Sequence, residues 1–96
     1  MRKSETQPLK DILKEYINAL GHRRKLKEIN IVSQWEKLMG KTIAKHTTGI
    51  YIKNKVLTVQ LDSSVIRNEL LMRKERIIHY LNENAGETII EKIILK

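Results

Sequence analysis

Near the start of the chain, apolar residues recur at helical spacing: Leu9, Ile12, Leu13, Tyr16, Ile17 and Leu20. The pattern predicts a first helix beginning at Pro8, where a missing N–H costs nothing, and stopping at Gly21. His22-Arg23-Arg24-Lys25 reads as a basic connector. A second helix is predicted over residues 24–39, with Ile29, Val32, Trp35, Leu38 and Met39 as its apolar stripe and Ile31 at the margin. Gly40 breaks or ends it, and Ile43-Ala44 look like one further turn. The period then changes to two. Ile50 and Ile52 alternate with Tyr51 and Lys53, and Leu57, Val59 and Leu61 alternate with Thr58 and Gln60, as in a hairpin with one buried face. Asn54-Lys55 is the expected turn.

Asp62-Ser63-Ser64 supplies residues fit to cap a third helix running to about Asn84. Ile66, Leu70, Ile77 and Leu81 define its buried face, with Leu71 and Ile78 further round and Gly86 as its stop. Arg67 and Lys74 fall in the same arc, either because long stems snorkel to the core edge, the favoured reading, or because they point into a groove. Ile89, Ile90, Ile93 and Ile94 fit a short helix or a strand, and their β-branching favours a strand. The order α-α-β-β-α-β implies an α+β fold, a three-stranded sheet packed against helices, of the kind seen in KH-like domains. The Gly-x-x-Gly loop with which a true KH domain clamps a nucleic-acid backbone is missing. Residues 1–7 are expected to be a flexible N-terminus and residues 8–96 a single domain. On the outer face of the sheet the alternation places Tyr51, Thr58 and Gln60, joined by Ile90 and Ile94 if the last segment is a strand.

The chain has 96 residues and no Cys, and no apolar run approaches a membrane span. No secretory leader is evident, so a cytoplasmic, soluble protein is expected. The net charge of +8 is unevenly placed. Residues 1–61 carry 13 Lys/Arg against 5 Asp/Glu, whereas residues 62–96 carry 6 of each. A one-sided basic surface favours a polyanion, most often nucleic acid. The candidate contacts are Arg23, Arg24, Lys25 and Lys27 in the connector, Lys41 and Lys45 four apart on one helical face, and Lys53 and Lys55 flanking the hairpin turn. No acidic residue lies between Glu36 and Asp62.

An enzyme is not expected. Ser4, Ser33, Ser63 and Ser64 sit in no Gly-x-Ser-x-Gly elbow, and Asp11 and Asp62 suit helix starts. His22, His46 and His79 are isolated from one another, so no metal and no cofactor are expected. Trp35 is either a base-stacking platform or a core residue, and its apolar stripe favours core. Gly40 either permits backbone contact with a ligand or serves helix termination or close packing, and the latter is favoured. His46 either contacts phosphate or caps the junction.

The segment Trp35-x-x-Leu38-Met39-Gly40-x-x-Ile43-Ala44-x-His46-Thr47 is the most specific in the chain. Together with Gln7-Pro8-Leu9, Val56-Leu57-Thr58-Val59 and Ser63-Ser64-Val65-Ile66-Arg67-Asn68-Glu69-Leu70, it resembles the DciA-like family, a bacterial domain long catalogued without a function. The short form with Gln-Pro-Leu resembles members from Bacteroidetes. The resemblance implies a KH-like fold and a role in DNA replication, in which members associate with the replicative DNA helicase, bind DNA and help load the helicase. Longer members carry an extended segment after the folded domain, implicated in helicase contact. The expectation is a non-catalytic DNA-binding protein, on single- or double-stranded DNA, with the replicative helicase as partner. The alternatives are an RNA-binding KH-like module and a protein-interaction adaptor that binds no nucleic acid. No membrane partner is expected.

Overall fold

The alternating segment folds as predicted, into strands β1 (Thr47–Lys53) and β2 (Val56–Leu61), paired antiparallel in a computed structural model of the chain. The structure describes the backbone of residues 2–96 and the side chains of residues 8–96. The flexible N-terminus expected at residues 1–7 lies outside the fully described residues. Asn54 (φ 52°) and Lys55 (φ 64°) both take the left-handed conformation. Two such residues in a two-residue loop make a type I′ turn, whose twist matches that of the flanking strands. A third strand, β3 (Lys92–Leu95), pairs parallel to β2, so the sheet order is β1-β2-β3 with β2 in the centre.

The helices depart from the expected division. The first is one helix, α1, over Arg2–Ser33, and it passes straight through Gly21 and the basic connector. Gly21 keeps a negative φ and stays helical. A mid-helix glycine costs about 1 kcal/mol relative to alanine, a penalty that good helix formers on both sides can absorb. A helix of 32 residues spans roughly 48 Å, so α1 dominates the 66 Å long dimension of the described residues. Its apolar stripe at Leu9, Ile12, Leu13, Tyr16, Ile17 and Leu20 is about half exposed or more.

The end of α1 is set by Ser33, whose hydroxyl donates to the Asn30 carbonyl, and by Gln34, which leaves helical geometry (φ −102°, ψ 14°). Two short helices follow, α2 (Trp35–Met39) and α3 (Lys41–Lys45), hinged at Gly40. The break shifts the buried phase. Ile31 becomes fully buried, whereas Ile29, predicted to lie on the stripe, is exposed.

The predicted third helix is two, α4 (Ser64–Leu71) and α5 (Lys74–Ala85), parted at Met72-Arg73, and nothing in the local sequence explains the break. Ser63 caps α4 by accepting the Ile66 N–H, and Gly86 closes α5 in the left-handed conformation (φ 81°). Leu70, Ile77 and Leu81 face the sheet and meet Leu57, Val59, Leu61 and Ile93.

The last strand is shorter than the isoleucine run. Ile89 and Ile90 precede it and are fully buried, which removes Ile90 from the outer face where alternation had placed it. Asn82 holds this turn: its side-chain oxygen accepts both the Ile89 and Ile90 N–H groups at 2.9 Å, and its amide donates to the Ile90 carbonyl at 2.8 Å. The α+β architecture, a three-stranded sheet packed against helices, is the one expected.

Candidate nucleic-acid interface

The eight predicted basic residues are not brought to one place. Lys27 donates to the Ala85 carbonyl at 2.9 Å and pairs with Glu87 at 2.6 Å, while Arg23 reaches the same carboxylate at 3.1 Å. Hydrogen bonds to the charged form, from Lys27 first and then Arg23, hold the Glu87 carboxyl below the ordinary glutamate value. Glu91 lies four residues further on, and its N–H bonds the Lys55 carbonyl at the hairpin tip. Its carboxylate stands 4.0 Å from Lys55 Nζ. Arg23, Lys27, Lys53 and Lys55 therefore gather at the hairpin-tip end of the sheet.

Lys41 and Lys45 sit at the other end. α3 runs directly into the start of β1, where the His46 carbonyl accepts the Asp62 N–H at 3.0 Å. β1 is seven residues long, so about 20 Å of strand separates this pair from the hairpin tip. By sequence the C-terminal third is neutral, with 6 Lys/Arg and 6 Asp/Glu. The fold instead carries two of its carboxylates, Glu87 and Glu91, back onto the basic residues. Among the described residues, Arg24, Lys25, Lys41, Lys45 and Lys53 have no carboxylate within 4 Å.

Lys25 and Glu28 line a mainly apolar groove of about 300 Å³ between α1 and the edge strand β1, together with Ile29, Val32, Ser33, Ile50, Tyr51 and Ile52. Tyr51 is 49% exposed. A cation beside an exposed ring and apolar walls can hold a phosphate while a base stacks nearby. Lys92 and Lys96, which sequence reasoning passed over, are also exposed. Their signal was available, because period two counted in both directions from Ile94 puts Lys92 and Lys96 on the face that Tyr51 occupies.

The motif residues lie elsewhere. Trp35 is 5% exposed, and its indole Nε1 donates to Thr47 Oγ1 at 3.0 Å. That hydroxyl donates in turn to the Ile43 carbonyl at 2.7 Å. Trp35 thus joins α2, the end of α3 and the start of β1 from inside the core, and presents no ring to a base. Gly40 ends α2 and begins α3 with φ 95° and ψ 162°, a conformation open to glycine alone. His46 ends α3, and its Nδ1 lies 2.7 Å from Asp62 Oδ1, tying the start of β1 to the end of β2. Among the described residues no group of three His, Cys, Asp or Glu side chains could hold a metal ion. No described helix is long and apolar enough to cross a membrane.

Residues 8–95 match the family model described as "Dna[CI] antecedent, DciA". The chain is also 30% identical over 87 residues to the UPF0232 protein of Corynebacterium glutamicum (strain R). The alignment covers 91% of this chain and 49% of that relative, so the chain spans about half the relative's length.

Proposed function

The chain belongs to the DciA family, and on that premise we propose that it is a non-catalytic DNA-binding domain that associates with the replicative DNA helicase and helps load it. The observation that carries the DNA-binding part is Lys25, which lines the groove with Tyr51 and Glu28, together with two further cations that have no carboxylate within 4 Å among the described residues, Arg24 next to it in sequence and Lys53 two residues after Tyr51. Arg23, Lys27 and Lys55 add charge at the same end but share it with Glu87 and Glu91. Lys41 and Lys45 form a second, separate contact at the far end of β1. Phosphate contacts of this kind bind without sequence preference and weaken with salt.

The exposed apolar stripe of α1 suits a different partner. Leu13, Ile17 and Leu20 stand in solvent on a helix that could lie in a groove of the helicase. The reading therefore separates DNA contact at the sheet end from protein contact on the projecting helix.

The test is fluorescence anisotropy of labelled DNA at two salt concentrations, with R24E/K25E/K53E beside the parent. The triple reversal is expected to weaken binding to every sequence and to reduce the salt slope by about 2. Leu13→Asp with Ile17→Asp should leave DNA affinity unchanged and abolish helicase association. Unchanged affinity and slope in the charge-reversed variant would remove Arg24, Lys25 and Lys53 from the site.

A further inference from the structure

The pairing register arranges the outer face of the sheet in three rows. Lys53 pairs with Val56, which pairs with Lys92. Tyr51 pairs with Thr58, which pairs with Ile94. Beyond them Gln60 lies beside Lys96, because the Lys96 N–H bonds the Val59 carbonyl and the Lys96 carbonyl accepts the Leu61 N–H. Side chains alternate across a strand, so Tyr51, Lys53, Thr58, Gln60, Lys92 and Lys96 all lie on the face of the sheet opposite the core. Their partners in alternation, Ile50, Ile52, Leu57, Val59 and Ile93, belong to or pack against the core on the opposite face.

This outer face is open. Tyr51 is 49% exposed, and Lys53, Gln60, Lys92 and Lys96 are exposed as well. Thr58 in the middle is buried, as expected for a central-strand residue flanked by a Tyr and an Ile. The register puts three lysines on this face and no Asp or Glu. Among the described residues no carboxylate lies within 4 Å of any of the three.

A sheet face with an exposed aromatic on its edge strand β1 and cations on both edge strands matches the chemistry of an unpaired nucleic-acid strand. Bases stack on the ring whatever their identity, and the lysines meet phosphates. A duplex hides its base faces, so the ring gives it nothing. A protein partner would find a face on which the register places three cations and no carboxylate, with a tyrosine on the edge strand β1. We propose that the outer face of the sheet is a docking platform for single-stranded DNA, with Tyr51 stacking on a base and Lys53, Lys92 and Lys96 contacting phosphates. The proposal deepens the DNA-binding reading above and rests on it. It names the form of DNA bound, assigns Tyr51 the stacking role, and adds Lys92 and Lys96 to the contact set.

The test is anisotropy of a labelled 20-nucleotide oligothymidylate and of a 20-base-pair duplex at 50 and 200 mM NaCl. The variants are Tyr51→Ala, Tyr51→Phe, K92E/K96E and the charge-matched control K10E/K14E on the projecting part of α1. Circular dichroism of each variant confirms that it folds. Tyr51→Ala is expected to weaken single-strand binding roughly tenfold, the equivalent of one lost base stack. Tyr51→Phe should restore it, and duplex binding should not move. K92E/K96E should lower single-strand affinity and reduce its salt slope by about 1.4, with a clearly smaller effect from K10E/K14E. If the parent binds DNA but the Tyr51 and lysine variants bind like the parent, the platform is overturned while DNA binding stands. Equal losses on duplex and single strand would overturn stacking. Tighter binding of the matching oligouridylate, by tenfold or more, would overturn DNA as the ligand. Absence of binding by the parent would overturn both the platform and the reading beneath it.

Discussion

Replacing Trp35 with alanine should cost this fold about 3–5 kcal/mol. The side chain is 5% exposed and touches three elements. Burial of about 200 Å² at 25 cal/mol per Å² is worth about 5 kcal/mol as an upper bound. The indole hydrogen bond to Thr47 adds about 1 kcal/mol. Partial collapse of the cavity returns some of that sum, because Thr47 keeps the Ile43 carbonyl as a partner and is not orphaned. A chain of this length has a total stability on the order of 5–14 kcal/mol, so the loss is a large share of it. Urea denaturation followed by far-UV circular dichroism measures it, since the variant removes the chain's single Trp and with it the fluorescence probe. With a urea m-value of about 2 kcal/mol/M, the midpoint should fall by about 2 M. Trp35→Phe keeps most of the apolar volume and deletes only the donor, and should lose about 1–2 kcal/mol. A Trp35→Ala variant within 1 kcal/mol of the parent would refute the assignment of this ring to the core.

Three further outcomes follow from particular contacts. Gly40→Ala should destabilise by about 1–3 kcal/mol through backbone strain alone, since nothing lies within 4 Å of the added Cβ; thermal denaturation measures it. Asn82→Ala orphans the Ile89 and Ile90 amides and should cost about 2–3 kcal/mol, and hydrogen exchange should show those two amides losing protection ahead of the sheet. Glu87 is held below the ordinary 4.5 by hydrogen bonds from Lys27 and then Arg23. Its contribution is therefore complete at neutral pH and is lost as the pH falls through the lowered value. Glu87→Gln should flatten the acid limb of the melting temperature against pH below about 4.5, and an unchanged limb would remove this triad from the stability account.

What the sequence makes legible here follows period and burial. Ile50, Ile52, Leu57 and Val59 alternate because β1 and β2 each show one face to the core, and Asn54-Lys55 turns the chain between them. Local rules fail where tertiary contacts decide. Gly21 is a stop only if the chain turns there, and α1 meets nothing that makes it turn. Ile29 and Ile31 exchange roles because the helix ends at Ser33, a break that shifts the apolar phase. Ile90 reads as a strand residue, yet Asn82, seven and eight residues before the amides it binds, folds that stretch into a buried turn. The same limit governs the interface. Lys53 and the connector cations are visible as charge, but the carboxylates that compensate Arg23, Lys27 and Lys55 lie 36–64 residues away in sequence. Only the fold shows which cations are compensated and that Lys41 and Lys45 stand apart.

The most direct test of the account is loading of the cognate replicative helicase onto labelled single-stranded DNA, with and without this protein, at two salt concentrations. The account predicts that the protein stimulates loading, that R24E/K25E/K53E loses most of the stimulation, and that raising the salt diminishes it. A helicase that loads equally well with and without the protein, under conditions where it is otherwise active, would contradict it.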